Sequence, residues 1–452
     1  MTRKPIDKPA RQRLLYIRTF GCQMNEYDSL RVQRLLAPQG YVLTGEMEAA
    51  DVIFLNTCSV RDKAEQKVHS FLGRLRRLKS RNSDLKIVVG GCVAQQLGRE
   101  LLDRFDHLDL VLGTRAISSI ASLLERVDAD GRRIVHMPEE EERDPGEFSH
   151  PGAFKGNAVS APVTVMTGCD NFCSYCIVPF VRGRERSRPA AEIIREIETL
   201  ASTGIREILL LGQNVNSYGR GLAERISFVD LLQRIQGETG ISRLRFTTSH
   251  PKDLTDELIR CFADLPSLCE HLHLPFQAGS DSVLERMNRS YTAALYIEKI
   301  RRLREASPDI GLSSDVMVGF PGESEDDFRK TLDLIEEVGF DSLFSFRYSD
   351  RPFTRSAGFP DKIPEEVKAR RLMELQTMQA GITHARNDAE RGRVREILVE
   401  GPSKASNGQF TGRTRQNRIV NFTGRETLVG EIAFVRIVAA FSHSLEGELA
   451  GD

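Results

Sequence analysis

The sequence lacks several features that would assign a chain to a broad class at once. Its 452 residues carry a net charge of only −1 at pH 7, so the whole-chain balance gives no sign of a nucleic-acid partner. No run of 18 apolar residues occurs, so no membrane span is expected. The basic first segment is not followed by an apolar stretch of the secretory type, and no clear internal repeat is found. These absences favour a cytoplasmic protein of several globular domains with no membrane partner.

Cysteine is scarce, and its placement says more than its number. The chain has eight cysteines, and three fall within eight residues in Cys169-Asp-Asn-Phe-Cys173-Ser-Tyr-Cys176. In a reducing compartment, clustered thiols bind metal or react more often than they form disulfides. A structural zinc site is closed by four ligands, whereas a 4Fe–4S cluster on three thiolates keeps one iron open. The missing fourth cysteine therefore favours a cluster that binds substrate or cofactor; a zinc knuckle completed by a distant histidine, or three buried thiols, are the alternatives.

A second set of three cysteines is spread along the first part of the chain. Cys22, Cys58 and Cys92 each follow a predicted strand, in Arg-Thr-Phe-Gly-Cys22, Phe-Leu-Asn-Thr-Cys58 and Val-Val-Gly-Gly-Cys92. The carboxyl ends of parallel strands meet at one edge of an α/β sheet, where ligands gather. The pattern predicts that three thiolates converge there, again three and not four. Burial as three small apolar side chains is the alternative.

Alternating strand and helix patterns predict an α/β protein in three parts. Residues 12–130 indicate a parallel sheet covered by helices, followed by a polar linker at 138–154. Residues 155–386 contain six strand–helix rounds, which predict a partial (βα)6 barrel with its chemistry at the carboxyl ends of the strands. Residues 387–450 predict a small antiparallel β-barrel with an excess of basic residues. The predicted strands of the central barrel are 162–167, 206–211, 243–248, 270–274, 312–318 and 343–348.

Polar residues accompany four of the predicted central strands. Gln213 and Asn214 follow the second strand, Ser249 the third and Gln277 the fourth, while Asp315 lies on the fifth. Singly, such residues also cap helices or turn the chain. Together with the cysteines after the first strand, they predict one cofactor site on the rim of the barrel.

The stretch 169–176 resembles the cluster motif of radical S-adenosylmethionine (radical SAM) enzymes. That motif is C-x3-C-x2-C with an aromatic residue, here Tyr175, before the last cysteine. The resemblance implies that Cys169, Cys173 and Cys176 hold a 4Fe–4S cluster whose open iron binds S-adenosylmethionine. It also implies that one electron cleaves this cofactor to methionine and a 5′-deoxyadenosyl radical, while the protein positions the cofactor.

Longer motifs resemble the radical SAM methylthiotransferases over nearly the whole chain. They are Thr19-Phe-Gly-Cys22-Gln-Met-Asn25-Glu-Tyr-Asp28-Ser29, Asn56-Thr-Cys58-Ser-Val-Arg61-Asp-Lys-Ala64, Arg182-Gly-Arg-Glu-Arg186-Ser-Arg188-Pro189 and Gly412-Arg-Thr-Arg-Gln-Asn417-Arg-Ile-Val-Asn-Phe422. The resemblance implies a second 4Fe–4S cluster on Cys22, Cys58 and Cys92 that supplies sulfur, and a second S-adenosylmethionine that donates a methyl group. It also implies that the C-terminal barrel is an RNA-binding TRAM domain.

Within that family, the motifs are most similar to the branch that methylthiolates C2 of N6-isopentenyl(dimethylallyl)adenosine beside the anticodon of tRNA. The resemblance implies an anticodon stem–loop bearing isopentenyladenosine as substrate, an electron donor such as flavodoxin or ferredoxin, and a monomer. In the basic C-terminal part, Arg413, Arg415 and Arg418 are expected to contact RNA phosphates, a solvated basic face being the alternative.

Other functions stay open at this level. The substrate of a sister branch, N6-threonylcarbamoyladenosine in tRNA, is the nearest alternative. A non-catalytic iron–sulfur redox sensor that binds RNA, a zinc-dependent RNA-binding protein and a radical enzyme with a protein substrate are the others. Gln23-Met24 and the TRAM-like end disfavour the protein substrate, and the polar strand ends disfavour the sensor.

One position departs from the family pattern. The family commonly has glycine where this chain has Phe353, in Tyr348-Ser-Asp-Arg351-Pro352-Phe353-Thr354. The change is expected to affect the local loop geometry and to leave the class of reaction unchanged.

Overall fold

The structure is a computed structural model that describes residues 12–59, 62–140, 158–403 and 408–451. Contacts divide the chain into two compact units. Unit 1 comprises Met1–Ala153 with Phe180–Arg182, and unit 2 comprises Phe154–Pro179 with Gly183–Asp452. In the part of the chain described, no helix has the length and apolarity that a membrane crossing needs.

Unit 1 is built on a six-stranded parallel sheet with the strand order β2-β1-β3-β4-β5-β6. The predicted parallel α/β sheet is confirmed, although the three-residue strands β2 and β6 were not predicted. The strands are β1 (Arg13–Thr19), β2 (Tyr41–Leu43), β3 (Val52–Thr57), β4 (Lys86–Gly91), β5 (Leu110–Leu112) and β6 (Ile134–His136). The helices are α1 (Gln23–Leu36), α2 (Asp62–Arg81), α3 (Cys92–Leu97), α4 (Arg99–Arg104) and α5 (Ile120–Asp130).

The central strand of this sheet, β3, is buried along its whole length. Its side chains alternate between two apolar cores, with Phe54 in one and Ile53 and Leu55 in the other. A strand that is covered by helices on both faces needs a continuous apolar sequence, and Val-Ile-Phe-Leu supplies one. The polar residues Asn56 and Thr57 then mark its carboxyl end, where the chain reaches Cys58.

Unit 2 contains an open barrel of six parallel strands, which confirms the predicted partial barrel. Two three-stranded sheets, β11-β10-β7 and β12-β13-β14, are linked by a bridge between Leu244 and Leu268. The barrel strands are β7 (Ser160–Thr164), β10 (Glu207–Leu211), β11 (Arg243–Phe246), β12 (His271–His273), β13 (Gly311–Val318) and β14 (Ser342–Arg347). A short antiparallel pair, β8 (Met166–Thr167) with β9 (Arg186–Ser187), closes the base of the loop that carries Cys169.

Helices cover the outside of this barrel and place their apolar faces on one large core. Helix α12 shows how a sequence fixes its start: Ser324 caps the first turn and Asp327 returns the hydrogen bond in a capping box. The helices of this part are α6 (Val178–Val181), α7 (Ala190–Ser202), α8 (Phe228–Thr239), α9 (Asp256–Asp264), α10 (Asp281–Arg286), α11 (Ala293–Ala306), α12 (Glu325–Val338) and α13 (Glu365–Asp388).

The chain ends in a closed five-stranded barrel with the order β15-β16-β17-β19-β18. The small β-barrel is confirmed, with one difference: β17 and β19 pair in parallel, so the barrel is not antiparallel throughout. The last strand was not predicted. The strands are β15 (Val394–Pro402), β16 (Gln409–Thr414), β17 (Ile419–Thr423), β18 (Ile432–Ala440) and β19 (Leu445–Leu449). Most of the predicted linker at 138–154, from residue 141 onward, lies outside the described residues.

Candidate functional site

In unit 1, the three separated cysteines lie at the ends of three neighbouring strands, as the sequence predicts. Cys22 follows β1 and precedes α1, Cys58 directly follows β3, and Cys92 is the first residue of α3 after β4. Strands β1, β3 and β4 are adjacent, with Thr19 opposite Asn56 and Thr57 opposite Gly91. The parallel register therefore brings residues from three distant parts of the sequence to one edge of the sheet.

Two glycines let these loops approach one another closely. A Cβ at Gly21, whose φ is +142°, would lie 2.5 Å from the Cβ of Cys58. A Cβ at Gly91, whose φ is +90°, would lie 2.4 Å from the carbonyl oxygen of Thr57. Only glycine fits such contacts and backbone angles, so the glycines before Cys22 and Cys92 are part of the site.

A buried amide network joins the loops of Cys22 and Cys58. The Asn25 side chain donates to Asn56 Oδ1 at 2.8 Å and to the Thr57 carbonyl at 3.0 Å, and Asn56 Nδ2 donates back to the Asn25 carbonyl at 2.7 Å. Cys22 Sγ lies 3.3 Å from Asn25 Oδ1. Both asparagines are fully buried, so their mutual hydrogen bonds satisfy groups that would otherwise destabilise the fold.

One buried cation accompanies these thiols. Arg182, which belongs to unit 1 by its contacts, forms an ion pair with Asp28 at 2.7 Å, and both side chains are buried. A hydrogen bond with the Cys58 thiol lowers the pKa of Cys22 to about 6, against the effect of burial and with the help of the Arg182 guanidinium. Burial raises the pKa of Cys92, and the same guanidinium opposes that rise. Asp28 neutralises this guanidinium, so the three thiols of unit 1 lie beside a buried ion pair.

In unit 2, Cys169, Cys173 and Cys176 lie together on the loop after β8. Gly168 begins this loop with a φ of +75°, where a Cβ would lie 2.0 Å from the Arg184 carbonyl oxygen. The Cys176 amide donates to the Cys173 carbonyl at 2.9 Å, which folds the loop into a tight turn. Burial raises the pKa of Cys169 to about 11 and that of Cys176 to about 12, and the nearby Cys173 adds to both.

Sequence reasoning missed the segment that holds this loop. Arg289 donates to Cys173 Sγ at 3.5 Å and to the Pro275 carbonyl at 2.7 Å, and the Asn288 side chain donates to the Phe172 carbonyl at 3.0 Å. Arg289 is buried, and within the described residues no carboxylate pairs with it. The signal was the unused string Arg286-Met-Asn-Arg289, which pattern reasoning had no reason to link with cysteines more than a hundred residues away.

Two of the predicted cofactor residues carry buried polar atoms that have no partner among the described residues. Asn214 donates to Asp253 at 2.8 Å, but its Oδ1 is buried and accepts no hydrogen bond from the described residues; the same holds for Ser249 Oγ. Both follow central barrel strands. Because such atoms usually find partners, the pair fits a polar cofactor held at this rim, as S-adenosylmethionine would be.

The other predicted cofactor residues have defined structural contacts. Gln213 Oε1 accepts from the Gly168 amide at 2.6 Å, which ties the second strand to the cysteine loop. Gln277 bridges to β13 through hydrogen bonds with Asp315 and Met317, both at 2.9 Å. The ring of Tyr175 lies edge-to-face with Phe320 at 6.5 Å. These side chains lie around the same rim, and their contact with a cofactor stays a prediction.

Strained backbone is concentrated at this rim. Non-glycine residues with positive φ include five that follow or lie between barrel strands at their carboxyl ends: Phe172, Thr248, Gln277, Asn288 and Phe353. Such conformations cost about 1–3 kcal/mol each and cluster at functional sites. Phe353 has a φ of +68° and is 65% exposed, so phenylalanine occupies a backbone conformation that favours glycine.

The arginines predicted to contact RNA are engaged within the protein. Arg415 pairs with Glu270 at 2.7 Å, and Arg418 pairs with Asp341, both through mostly buried side chains. Arg413 pairs with Glu400 at 2.9 Å and is one-third exposed. Carboxylates of the neighbouring barrel core thus hold Arg415 and Arg418, and the contact of the three arginines with RNA phosphates stays a prediction.

Within the residues described, no group of three or more His, Cys, Asp or Glu side chains is arranged as ligands of one metal ion. In a 4Fe–4S cluster each thiolate binds a different iron. This finding therefore concerns sites for single metal ions and does not test the predicted 4Fe–4S clusters.

Comparison with known proteins covers each part of the chain. Residues 14–113 match the model of the uncharacterized protein family UPF0004, residues 163–335 match the radical SAM superfamily, and residues 388–450 match the TRAM domain. A tRNA-2-methylthio-N(6)-dimethylallyladenosine synthase of Syntrophobacter fumaroxidans is 66% identical, with 98% of each chain covered. The protein of the same name in Geobacter metallireducens is 50% identical, with 97% of this chain and 99% of that one covered.

Solved structures share the fold at low sequence identity. The radical S-adenosylmethionine methyltransferase TsrM from Kitasatospora setae aligns with a TM-score of 0.54 and 15% identity, over 76% of this chain and 77% of that one. The cobalamin-dependent S-adenosylmethionine radical enzyme OxsB aligns with a TM-score of 0.51 and 12% identity, over 82% and 56% of the two chains.

Proposed function

The chain belongs to the tRNA-2-methylthio-N(6)-dimethylallyladenosine synthase family, and we propose that it performs this reaction with two three-cysteine clusters. It is a radical SAM methylthiotransferase that converts N6-dimethylallyladenosine beside the anticodon of tRNA to the 2-methylthio derivative. S-adenosylmethionine and one 4Fe–4S cluster follow from the radical SAM family. The second cluster, the residues that hold each one and the partners beyond tRNA are the proposal.

The observation that carries the proposal is the pair of three-thiol sites. Cys169, Cys173 and Cys176 are proposed to hold the radical SAM cluster, which when bound supplies the electron that cleaves S-adenosylmethionine. Cys22, Cys58 and Cys92 are proposed to hold the second cluster, which supplies the sulfur. Each site has three cysteines, which leaves one iron of a 4Fe–4S cluster exchangeable. A buried guanidinium lies near each site, that of Arg182 paired with Asp28 and that of Arg289 bonded to Cys173 Sγ.

The chain's own residues position the reactants. Asn214 Oδ1 and Ser249 Oγ, buried and lacking partners among the described residues, are proposed to bind polar groups of S-adenosylmethionine. Gln277, held in its strained conformation by β13, and Asp315 on that strand are proposed to line the same cofactor. Fixing the cofactor in this way excludes water from a radical reaction and orients the reacting atoms.

The C-terminal TRAM barrel is proposed to bind the tRNA backbone. Of the three arginines predicted from sequence, Arg413 is the one whose exposure and surface ion pair leave it available to a phosphate, because such pairs are worth little in water. We further propose that a flavodoxin- or ferredoxin-type donor supplies the electron and that the enzyme acts as a monomer.

The test is nucleoside mass spectrometry on the reconstituted full chain. The protein is incubated anaerobically with S-adenosylmethionine, a reductant and tRNA that carries N6-dimethylallyladenosine. A 2-methylthio product supports both clusters together. Abundant 5′-deoxyadenosine without that product would retain the radical assignment and turn the search to threonylcarbamoyladenosine as the substrate.

A further inference from the structure

The interior of the central barrel carries an apolar wall beside a polar group of side chains. Strand register places Asp315 opposite Phe344 and Met317 opposite Phe346, on the neighbouring strands β13 and β14. His273 on β12 lies opposite Ser313. These residues alternate with others along each strand, so they share one face of the sheet.

The contacts of the alternate residues show which face this is. Leu312, Val316 and Val318 on β13 are almost fully buried in the core beneath the surrounding helices. On β14, Ser345 accepts a hydrogen bond from Gln376 of α13 at 3.1 Å. Phe344 therefore points away from the helices and into the barrel.

Phe344 is an unusual residue for the inside of a barrel, because half of its surface is exposed. Its ring lies edge-to-face with that of His273, with the centroids 5.9 Å apart. His273 is in turn held by Ser313 at 3.0 Å, and its Nε2 lies 3.7 Å from Asp315 Oδ1. One edge of the Phe344 ring is thus fixed, and its remaining surface is open to a ligand.

This wall belongs to the barrel that carries Cys169, Cys173 and Cys176. The loop that follows β14 is tied to the cysteine loop, because the Ser356 amide donates to the Ser174 carbonyl at 2.9 Å. Strand β12 leads to Gln277 and β13 to Gly319, on the same rim. A substrate that reaches the radical site would therefore meet the Phe344 face on the inside of the same barrel.

We propose that Phe344 is a specificity-determining residue whose exposed ring receives the dimethylallyl group of the substrate. The assignment rests on the methylthiolation of N6-dimethylallyladenosine as the reaction of this chain. The dimethylallyl group has five carbons and no hydrogen-bonding atom, so its recognition needs apolar surface. The half-buried Met317 and Phe346 extend that surface along the next step of the two strands.

The same face disfavours the threonylcarbamoyl group. That group carries a carboxylate, which would meet the Asp315 side chain and lose its hydration against an aromatic wall. The cations near the amino end of the barrel are already paired: Arg245 with Glu207 at 2.8 Å and Arg243 with Glu396 at 2.7 Å. Repulsion and unpaired polar groups thus discriminate against this substrate.

The experiment compares the affinity of full-length reconstituted protein for two tRNAs that differ only in the dimethylallyl group. Equilibrium binding is measured for the dimethylallyladenosine tRNA and for the unmodified tRNA, with wild type and Phe344→Ala. We expect wild type to prefer the dimethylallyl form by about tenfold or more, which is a discrimination typical of an apolar pocket. Phe344→Ala should reduce that ratio to near one while leaving the affinity for unmodified tRNA within about twofold of wild type.

Two controls separate this role from others. Met373→Ala removes a similarly exposed apolar side chain, 66% accessible, from α13, and should keep the wild-type ratio. The iron content and the midpoint of thermal denaturation of Phe344→Ala should match those of wild type, which shows a folded and loaded protein. An equal loss of affinity for both tRNAs, or an unchanged ratio, overturns the proposal. Absence of any 2-methylthio product with wild type would instead contradict the proposed function, and the binding ratio would still decide the role of Phe344.

Discussion

The two sites each contain three cysteines, but the cysteines are brought together in different ways. The cysteines of unit 1 are spread from Cys22 to Cys92 and meet because parallel strands end at one edge of a sheet. Those of unit 2 lie within eight residues, and the surrounding loops hold them in place. The first site depends on topology and the second on local sequence, so only the second has a short motif.

The sites also differ in backbone and charge. In the described part of unit 1, positive φ values occur only at glycines, such as Gly21 and Gly91, whereas strained non-glycine residues surround the rim in unit 2. Arg182 is paired with Asp28, whereas Arg289 has no carboxylate partner in the described part of the chain. The thiols of unit 1 thus lie beside a neutral ion pair, whereas those of unit 2 lie beside the positive charge of Arg289.

Removing one cysteine from each site should separate their functions most clearly. Cys173→Ala should abolish both 5′-deoxyadenosine and the 2-methylthio nucleoside, because the radical SAM cluster would lose one of its proposed ligands. Cys58→Ala should keep 5′-deoxyadenosine formation and lose the methylthio product. Both products are measured by mass spectrometry in one anaerobic assay. If Cys58→Ala still formed 2-methylthio product, the sulfur-supplying role of the unit 1 site would be wrong.

Neutralising each arginine tests the difference in charge. Arg182→Gln leaves Asp28 buried and unpaired, so it should destabilise unit 1 by about 3–5 kcal/mol, as seen in chemical denaturation. Arg289→Gln leaves no unpaired carboxylate and should cost less stability. It should instead move the reduction potential of the radical SAM cluster to more negative values, because a cation and a hydrogen bond to Cys173 are lost.

The potential is measured by redox titration followed by electron paramagnetic resonance. Arg289→Lys, which keeps the charge, serves as the matched control and should restore most of the potential. An unchanged potential in Arg289→Gln would show that this guanidinium acts only as a structural support.

A buried histidine gives unit 2 a pH dependence. Burial lowers the pKa of His250 to about 2, so the folded state holds this ring neutral. The unfolded state takes up a proton below its pKa of about 6.5, and stability is therefore present above that pH and lost as the pH falls below it. The loss should approach about 1.4 kcal/mol per pH unit.

Denaturation curves between pH 7 and pH 5 measure this dependence. His250→Asn keeps an acceptor for the Lys252 amide, 3.2 Å from Nδ1 in wild type, and should flatten the slope. An equal slope in both proteins would mean that other groups carry the pH dependence.

The smallest expected effect concerns backbone strain. Phe353→Gly should stabilise the protein by about 1 kcal/mol, because glycine accepts the φ of +68° without strain. Phe434→Gly is the matched control: Phe434 is also exposed, but it lies in strand β18, where glycine is destabilising. A loss of thermal stability in Phe353→Gly would mean that contacts of the ring outweigh the strain.

Much of the architecture was predictable because it depends on local pattern. The strand that ends at Cys58 and the six barrel strands all show in apolar runs and turn residues, and their parallel arrangement follows from strand–helix alternation. The three-residue strands β2 and β6 carry too little pattern to be seen. Cys22, Cys58 and Cys92 were found only because all three follow predicted strands.

The contacts that the sequence did not reveal are those made at long range. Arg289 and Cys173 lie 116 positions apart, and no local sequence pattern links the two residues. The ion pairs of the C-terminal arginines were missed for the same reason: their charge is visible in the sequence, but Glu270, which holds Arg415, lies 145 positions away. Charge alone therefore predicted a contact with RNA and gave no sign of the internal ion pair.

The seam between the central barrel and the TRAM barrel has a practical consequence for dissecting the enzyme. Arg243 and Arg245 donate to the carbonyls of Arg413, Thr414 and Arg415, while Arg415 and Arg418 pair with carboxylates of the core. Deleting the TRAM barrel would remove these partners from two guanidiniums, those of Arg243 and Arg245, and from two carboxylates, those of Glu270 and Asp341, at once. Loss of activity in a truncated enzyme could thus come from the damaged interface rather than from lost RNA affinity. Point substitutions on the outer TRAM surface separate the two effects.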